Sequence, residues 1–270
     1  MIDVIRQQFS PGMDDEAKLN RAREVLQILA LKIISDKGFF DDLSFTGGTA
    51  LRVLFGLRRF SEDLDFSLVQ KKGHDFPGFL SAIVAGLRLY GLDAEAAKVK
   101  AEKSVHSAFL KFSGLLKAVG ISPLGSEKLS IKIEVDSNPP KGGRTQVTLV
   151  NKMYIFTVTH FDIPSLFATK LHACFYRKFT KGRDFYDLIW YISQKITPNF
   201  LLLNNAIEQT QGVNPALNES SFKDFLLAGI EKIDFNLAKK DVERFLEEKS
   251  ELRLFDKKVI KSTIESAYAK

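Results

Sequence analysis

Two stretches of the chain hold residue types suited to phosphate and metal chemistry. One is Phe45-Thr46-Gly47-Gly48-Thr49-Ala50-Leu51-Arg52, and the other is Arg59-Phe60-Ser61-Glu62-Asp63-Leu64-Asp65-Phe66. Two glycines at a strand-to-helix turn let the backbone approach a ligand closely, because no Cβ stands in the way. The unpaired N–H groups of the first helical turn then favour an anion such as a phosphate, and Thr49 adds a hydroxyl there. Asp63 and Asp65 lie two apart on an expected strand, so both carboxylates leave the same face. Two acids that close repel one another unless a cation lies between them, and a hard divalent ion with oxygen ligands, Mg²⁺ or Mn²⁺, is the natural filler. A third carboxylate from a neighbouring strand would complete a two-metal site, in which the ions sit ~3.5–4 Å apart. Glu134 and Asp136 are the candidates, and spacing alone does not choose between them. A Gly-Gly pair by itself is ordinarily a turn, and Asp-x-Asp by itself a solvated strand edge. Their succession, with Glu-x-Asp on a later strand, is what suggests a site.

The elements that must hold these residues follow from periodicity. Leu19, Ala22, Leu26, Leu29 and Ile33 recur at three and four over Asp14 to Asp36, an amphipathic helix opened by Asp14-Asp15-Glu16 and stopped near Gly38. Phe39 to Thr46 reads as an approach strand, and a helix follows through Leu51, Leu54 and Phe55. Residues 62–68 alternate as a strand, and 79–90 form a second amphipathic helix. Ala108–Phe112 and Lys128–Asp136 are strands, the latter with Ile131, Ile133 and Val135 inward and Lys132, Glu134 and Asp136 opposite. Asn138-Pro139-Pro140 ends that strand, since proline cannot donate to a ladder. Val147–Thr159 gives one more strand region.

Beyond Pro164 helical periods dominate, over 165–178, 183–194, 199–208, 221–230, 237–248 and 257–268. The chain thus reads as an α/β half and an all-helical half, with the seam near residues 160–165. The helical half carries its own charged cluster. Lys170 and Arg177 lie seven apart and share a helix face; Thr180-Lys181-Gly182 interrupts the helix, and Asp184 opens the next. Asp184 reads either as a site residue or as a helix-start acid, and Asp187 either as a site residue or as a buried partner of Arg183 or Lys181. Arg58 and Arg59 either meet phosphate or face water.

Composition narrows the classes. The 270 residues include 39 Lys+Arg and 33 Asp+Glu, a net charge of +6, with 45% hydrophobic residues. This excludes a disordered tail, a collagen-like repeat and a disulfide-stapled module. The excess of positive charge assists the approach of a nucleic acid or a triphosphate. The single cysteine, Cys174, suits a reducing compartment and a core position. No apolar run reaches the ~18 residues of a membrane span, the first residues lack a signal-peptide core, and the cytoplasm is the expected location. His74, His106 and His160 lack ligand spacing, His172 reads as a packing residue, and no Walker string is present.

The string GGTALRVLFGLRRFSEDLDFSL resembles the signature of the nucleotidyltransferase superfamily that includes DNA polymerase β. It is more closely similar to the AbiEii/AbiGii family of toxin nucleotidyltransferases of type IV toxin–antitoxin systems. Lys170-Leu171-His172-Ala173, Arg177 and Arg183-Asp184-Phe185-Tyr186-Asp187-Leu188 resemble that family's downstream motifs, so the resemblance covers about residues 45 to 190. It implies an α/β (α+β) fold, with a polymerase β-like core and mixed sheet over 1–163, a helical C-terminal domain over 164–270 and the active site in the cleft between them. It also implies a Mg²⁺-dependent transfer of NMP from an NTP to an acceptor hydroxyl, the 3′ end of RNA and plausibly tRNA leading, with a cognate antitoxin as partner and no DNA or membrane. Gly47, Gly48 and Thr49 would cradle the triphosphate, and Asp63, Asp65 and Glu134 (or its rival Asp136) would hold the metals. Lys170 would reach a nucleotide phosphate, and Asp184 and Asp187 would support the site; beside these, the basic Lys178, Lys181 and Arg183 are where an RNA backbone is expected to approach. Two alternatives share these residues: transfer to a protein or small molecule such as an antibiotic, and a nucleotide-binding module without turnover. The intact acid set argues against the latter.

Overall fold

A short helix α1 (Ile2–Arg6) precedes the long helix α2 (Asp15–Asp36) in this computed structural model, which describes residues 1–70, 73–101, 103–178 and 181–269. Asp14 caps α2 by accepting the Ala17 N–H at 2.8 Å, and Gly38 leaves it with φ = 72°. The expected approach strand is shorter than predicted. Phe39–Asp41 form one 3₁₀ turn, and only Leu43–Thr46 make strand β1. Helix α3 (Gly47–Phe55) and strand β2 (Asp63–Leu68) follow as the pattern predicts, then α4 (Phe76–Leu89), which starts earlier because Asp75 caps it.

Strand β3 (Ala94–Lys100) has no counterpart in the sequence reading. Only Ala94 in it is buried, so no alternation betrays it. Strand β4 (Val105–Phe112), the short helix α5 (Leu115–Ala118) and strand β5 (Leu129–Asp136) come next. The single strand region expected over 147–159 is a pair, β6 (Thr145–Asn151) and β7 (Ile155–Phe161).

These strands form one mixed sheet in the order β3-β4-β5-β2-β1-β7-β6. Strand β2 runs antiparallel to β1 and parallel to β5, and β5 is antiparallel to β4. One face carries Phe45, Leu64, Phe66, Ile131, Ile133 and Val135, all at most 2% exposed, and forms the core. The opposite face carries Thr46, Asp63, Asp65, Ser107, Lys132, Glu134 and Asp136. Helix α3 is fastened to α2 by Arg52, whose Nε and Nη2 donate to the two oxygens of Glu24 at 2.6 and 3.2 Å. Gln27 of α2 donates to the Ser61 carbonyl at 3.1 Å and steadies the approach to β2.

The chain divides into two compact units. The first comprises residues 1–56, 60–139 and 145–160, and the second 57–59, 140–144 and 161–270. Helices α6 (Ile163–Tyr176), α7 (Gly182–Ser193), α8 (Phe200–Gln211), α9 (Glu219–Glu231), α10 (Phe235–Val242) and α11 (Lys257–Ala267) build the second. The expected interruption near Lys181 is present, although Thr180 lies outside the described residues. The helix expected over 237–248 stops at Val242. Glu243–Phe245 turn as 3₁₀, and Leu246 is extended because Phe245 and Leu246 are buried and Leu246 forms a β-bridge with Arg59. Gly182 lies so near the Ala238 carbonyl group that a Cβ would stand 2.8 Å from its carbon, which lets α7 and α10 pack closely. Among the described residues no helix is long and apolar enough to cross a membrane.

Ile133 sits at 0% exposure under the polar face. Ile133→Ala is expected to lower unfolding free energy by about 2–5 kcal/mol, read as a lower urea midpoint with an unchanged slope.

Candidate active site

In the first unit the register of β2 and β5 places the acids. Asp63 is opposite Lys132, Asp65 opposite Glu134, and Ser67 opposite Asp136. In-register neighbours on adjacent strands project to the same face, so Asp63, Asp65 and Glu134 share one half-buried patch. The Gly-Gly turn lies directly against it. Gly47 has φ = 76°, and a Cβ there would stand 2.9 Å from the Asp65 Cγ, so both its backbone angle and its space demand glycine. Helix α3 begins at this point with Thr46 as its N-cap and no side-chain capping bond, leaving its first N–H groups to other acceptors.

The donor set is three carboxylates, hard oxygen ligands that suit Mg²⁺ or Mn²⁺. Among the described residues no three His, Cys, Asp or Glu side chains converge on a common point. Glu134 Oε1 is instead closed onto Lys132 Nζ at 2.6 Å. Alternation puts Lys132 on this polar face, and the sequence reading assigns it no role. Asp136 serves the strand end: its Oδ1 accepts the Asn138 N–H at 2.9 Å, just ahead of Pro139-Pro140.

Thr49 departs from the expectation of a ligand-facing hydroxyl. It is fully buried, and its Oγ1 donates to the Asp63 carbonyl, tying α3 to β2. The hydroxyl therefore positions the strand that carries both aspartates.

The second unit gathers the other predicted residues into one buried ionic network. Lys170 Nζ donates to Asp184 Oδ1 at 2.7 Å and pairs with Asp187 Oδ2 at 2.8 Å. Arg177 Nη1 donates to Asp184 Oδ2 at 2.6 Å. Arg59 donates from Nε and Nη2 to the two oxygens of Asp187, each at 2.6 Å. The two open readings of Arg59, phosphate or water, are thus both replaced, for its side chain is 2% exposed. Asp187 is buried, as one reading had it, but its partners are Arg59 and Lys170 and not Arg183 or Lys181. Arg183 lies over the Phe245 ring at 4.4 Å. Outside the network, His172 bonds Thr210 at 2.8 Å and stacks on Tyr176. The Cys174 thiol donates to the Asp184 carbonyl, and burial pushes it well above the usual thiol range.

Burial alone would lower Lys170, but the carboxylates of Asp184 and Asp187 outweigh it and hold the ammonium above the ordinary lysine range. Burial alone would raise Asp184, but Lys170 and Arg177 outweigh it and bring its carboxyl to about 2. Asp184 is accordingly a permanent anion near neutral pH, fitted to orient a cation and poorly fitted to accept a proton.

The fold is shared with two solved structures. A Helicobacter pylori protein described as a candidate nucleotidyltransferase matches with a TM-score of 0.60 at 20% identity, over 91% of this chain and 93% of that one. JHP933 of H. pylori matches with a TM-score of 0.57 at 18% identity, over 92% and 91%. Both likenesses are of fold. The family is given by sequence: the model of the nucleotidyl transferase AbiEii toxin of type IV toxin–antitoxin systems matches residues 29–261, and the chain belongs to that family of enzymes. No curated protein matches the chain.

The lowered Asp184 pKa fixes a pH dependence. A carboxyl near 2 in the folded chain and 3.8 unfolded adds stability that is complete above 3.8 and is lost as pH falls toward 2. The contribution is about 2 kcal/mol. Asp184→Asn is expected to flatten the stability-versus-pH curve between pH 4 and 2, measured by urea unfolding at each pH.

Proposed function

We propose that the chain transfers NMP from an NTP to an acceptor hydroxyl, using Asp63, Asp65 and Glu134 with Mg²⁺. The observation that carries this reading is the joint placement of the Gly47 turn against Asp65 and of Asp65 opposite Glu134. Glu134 is favoured over Asp136 as the third carboxylate because it neighbours Asp65 directly, whereas Asp136 is occupied with the Asn138 amide. The divalent ion, held by these three acids, would supply charge neutralisation for the phosphates.

The chain's own groups account for the rest. The backbone of Gly47 and Gly48 admits the triphosphate to the α3 N-terminus, where the amide dipoles favour its charge. Lys170 contributes a permanent positive charge to a phosphate oxygen, and Asp184 keeps it oriented. In the transfer the acceptor oxygen bonds to the α-phosphorus, the α–β anhydride bond breaks, and pyrophosphate leaves with the bonding electrons. The acceptor proton passes to water. Positioning and charge stabilisation supply most of the rate enhancement. Membership of a type IV toxin family supports NTP as donor and an antitoxin as biological partner. The net charge of +6 and the exposed Lys178 and Lys181 support RNA, with the 3′ end of tRNA the leading acceptor.

The test is a transfer assay with Mg²⁺, tRNA or total RNA, and each NTP labelled on the α- or γ-phosphate. α-Label on RNA is the expected result, and γ-label on RNA would contradict the reaction. Label on protein or small molecules in place of RNA would overturn the acceptor. Asp65→Ala is expected to abolish transfer, and Glu134→Gln to reduce it by at least about a hundredfold. Asp136→Asn is expected to stay within about threefold of wild type. Equal losses for Glu134→Gln and Asp136→Asn would sink the choice of Glu134.

A further inference from the structure

Arg59 precedes Asp63 by four residues, yet it belongs to the helical unit. Its segment is held there by three attachments: the Arg59 backbone bridges Leu246, Arg58 pairs with Glu251 at 3.3 Å, and Leu57 is buried. So anchored, the guanidinium grips both oxygens of Asp187 in two parallel bonds of 2.6 Å, with Arg59 at 2% and Asp187 at 0% exposure. A bidentate fork of this kind fixes the plane of a carboxylate, which a single ammonium cannot do.

The consequence falls on Lys170. The Asp187 Oδ2 held by Arg59 is also the oxygen that pairs with Lys170 Nζ at 2.8 Å, and the same Nζ reaches Asp184 Oδ1 at 2.7 Å. An ammonium has three N–H donors in tetrahedral arrangement. With two directed at fixed carboxylates, the third is confined to one remaining direction. We infer that Arg59 is a positioning residue for Lys170: by fixing Asp187 it aims the remaining N–H of Lys170 and so sets the affinity for a nucleotide phosphate. The inference rests on the proposed phosphate role of Lys170. Arg59 acts through Asp187, since its own buried fork is spent on that carboxylate. With Arg59 shortened to a lysine, Asp187 keeps a cation nearby but loses its fixed plane, and Lys170 is free to turn toward it and away from Asp184.

Three variants separate positioning from simple support of the fold: Arg59→Lys, Arg59→Met/Asp187→Leu and, as reference, Lys170→Met. For each, the NTP KM, kcat and Tm are measured, together with the Lys170 ammonium resonance in protein labelled with ¹⁵N-lysine and assigned by its loss in Lys170→Met. Arg59→Lys is expected to keep a Tm close to wild type, to raise the NTP KM about tenfold with kcat changed less than about threefold, and to shift the Lys170 resonance. The double variant is expected to keep a Tm close to wild type as well, because an apolar pair can replace a buried ion pair, while its KM stays raised. An unchanged KM and an unshifted resonance in Arg59→Lys, or a double variant that keeps wild-type KM along with Tm, would overturn the inference. If the wild type neither binds nor transfers an NTP, the proposed function fails, and the resonance alone decides the role of Arg59: a shift supports it and no shift overturns it.

Discussion

Parallel pairing of β2 with β5 in one register is the constraint on which the candidate site rests. Side chains on a strand alternate with period two, so a slip of a single residue would carry Asp63 and Asp65 to the apolar face and Leu64 and Phe66 to the polar one. Burying two carboxylates among Ile131, Ile133 and Val135 is prohibitively costly, so the core itself enforces the acid patch. Core and site are in this sense the two faces of one alternation. The Gly47 turn depends on the same register, since it lies against the Asp65 carboxylate, and the Thr49 hydroxyl adds a fastening from α3 to the Asp63 main chain.

The helical unit solves a different problem. Arg59 and Asp187 are almost wholly withdrawn from water, and Lys170 and Asp184 nearly so. Desolvating such groups costs several kcal/mol per ion, and an apolar cluster of the same volume would serve stability as well or better. What the ions add is direction: short charge-assisted bonds with fixed lone-pair geometry, opening toward solvent at the half-exposed Arg177. The arrangement holds the Lys170 ammonium charged and fixed between two carboxylates.

Family and fold rest on different comparisons. The AbiEii model spans residues 29–261, while identity with the two solved H. pylori structures is only 18–20%. Within this chain Gly47 is a position where geometry leaves least choice, by both its φ and the space a Cβ would need.

Local physics made much of this legible in sequence. The Asp14 cap and three-four spacing define α2, strict alternation defines β5, and the Asp63-x-Asp65 face follows from the strand period alone. Lys170 and Arg177 are expected on one helix face; both meet Asp184, although α6 ends at Tyr176 and Arg177 follows it in extended conformation. Strand β3 was invisible because its exposed residues leave no hydrophobic period, and the helix expected to run to Glu248 ends at Val242 because Leu246 is drawn to the Arg59 backbone. The register that sets Glu134 beside Asp65, the engagement of Thr49 with the Asp63 carbonyl, and the partnership of Arg59 with Asp187 across 128 residues were decided by the tertiary structure. Periodicity states which face a side chain leaves, a property of neighbours in the chain. Which charge it meets there depends on strand register and helix packing, which only the folded chain sets.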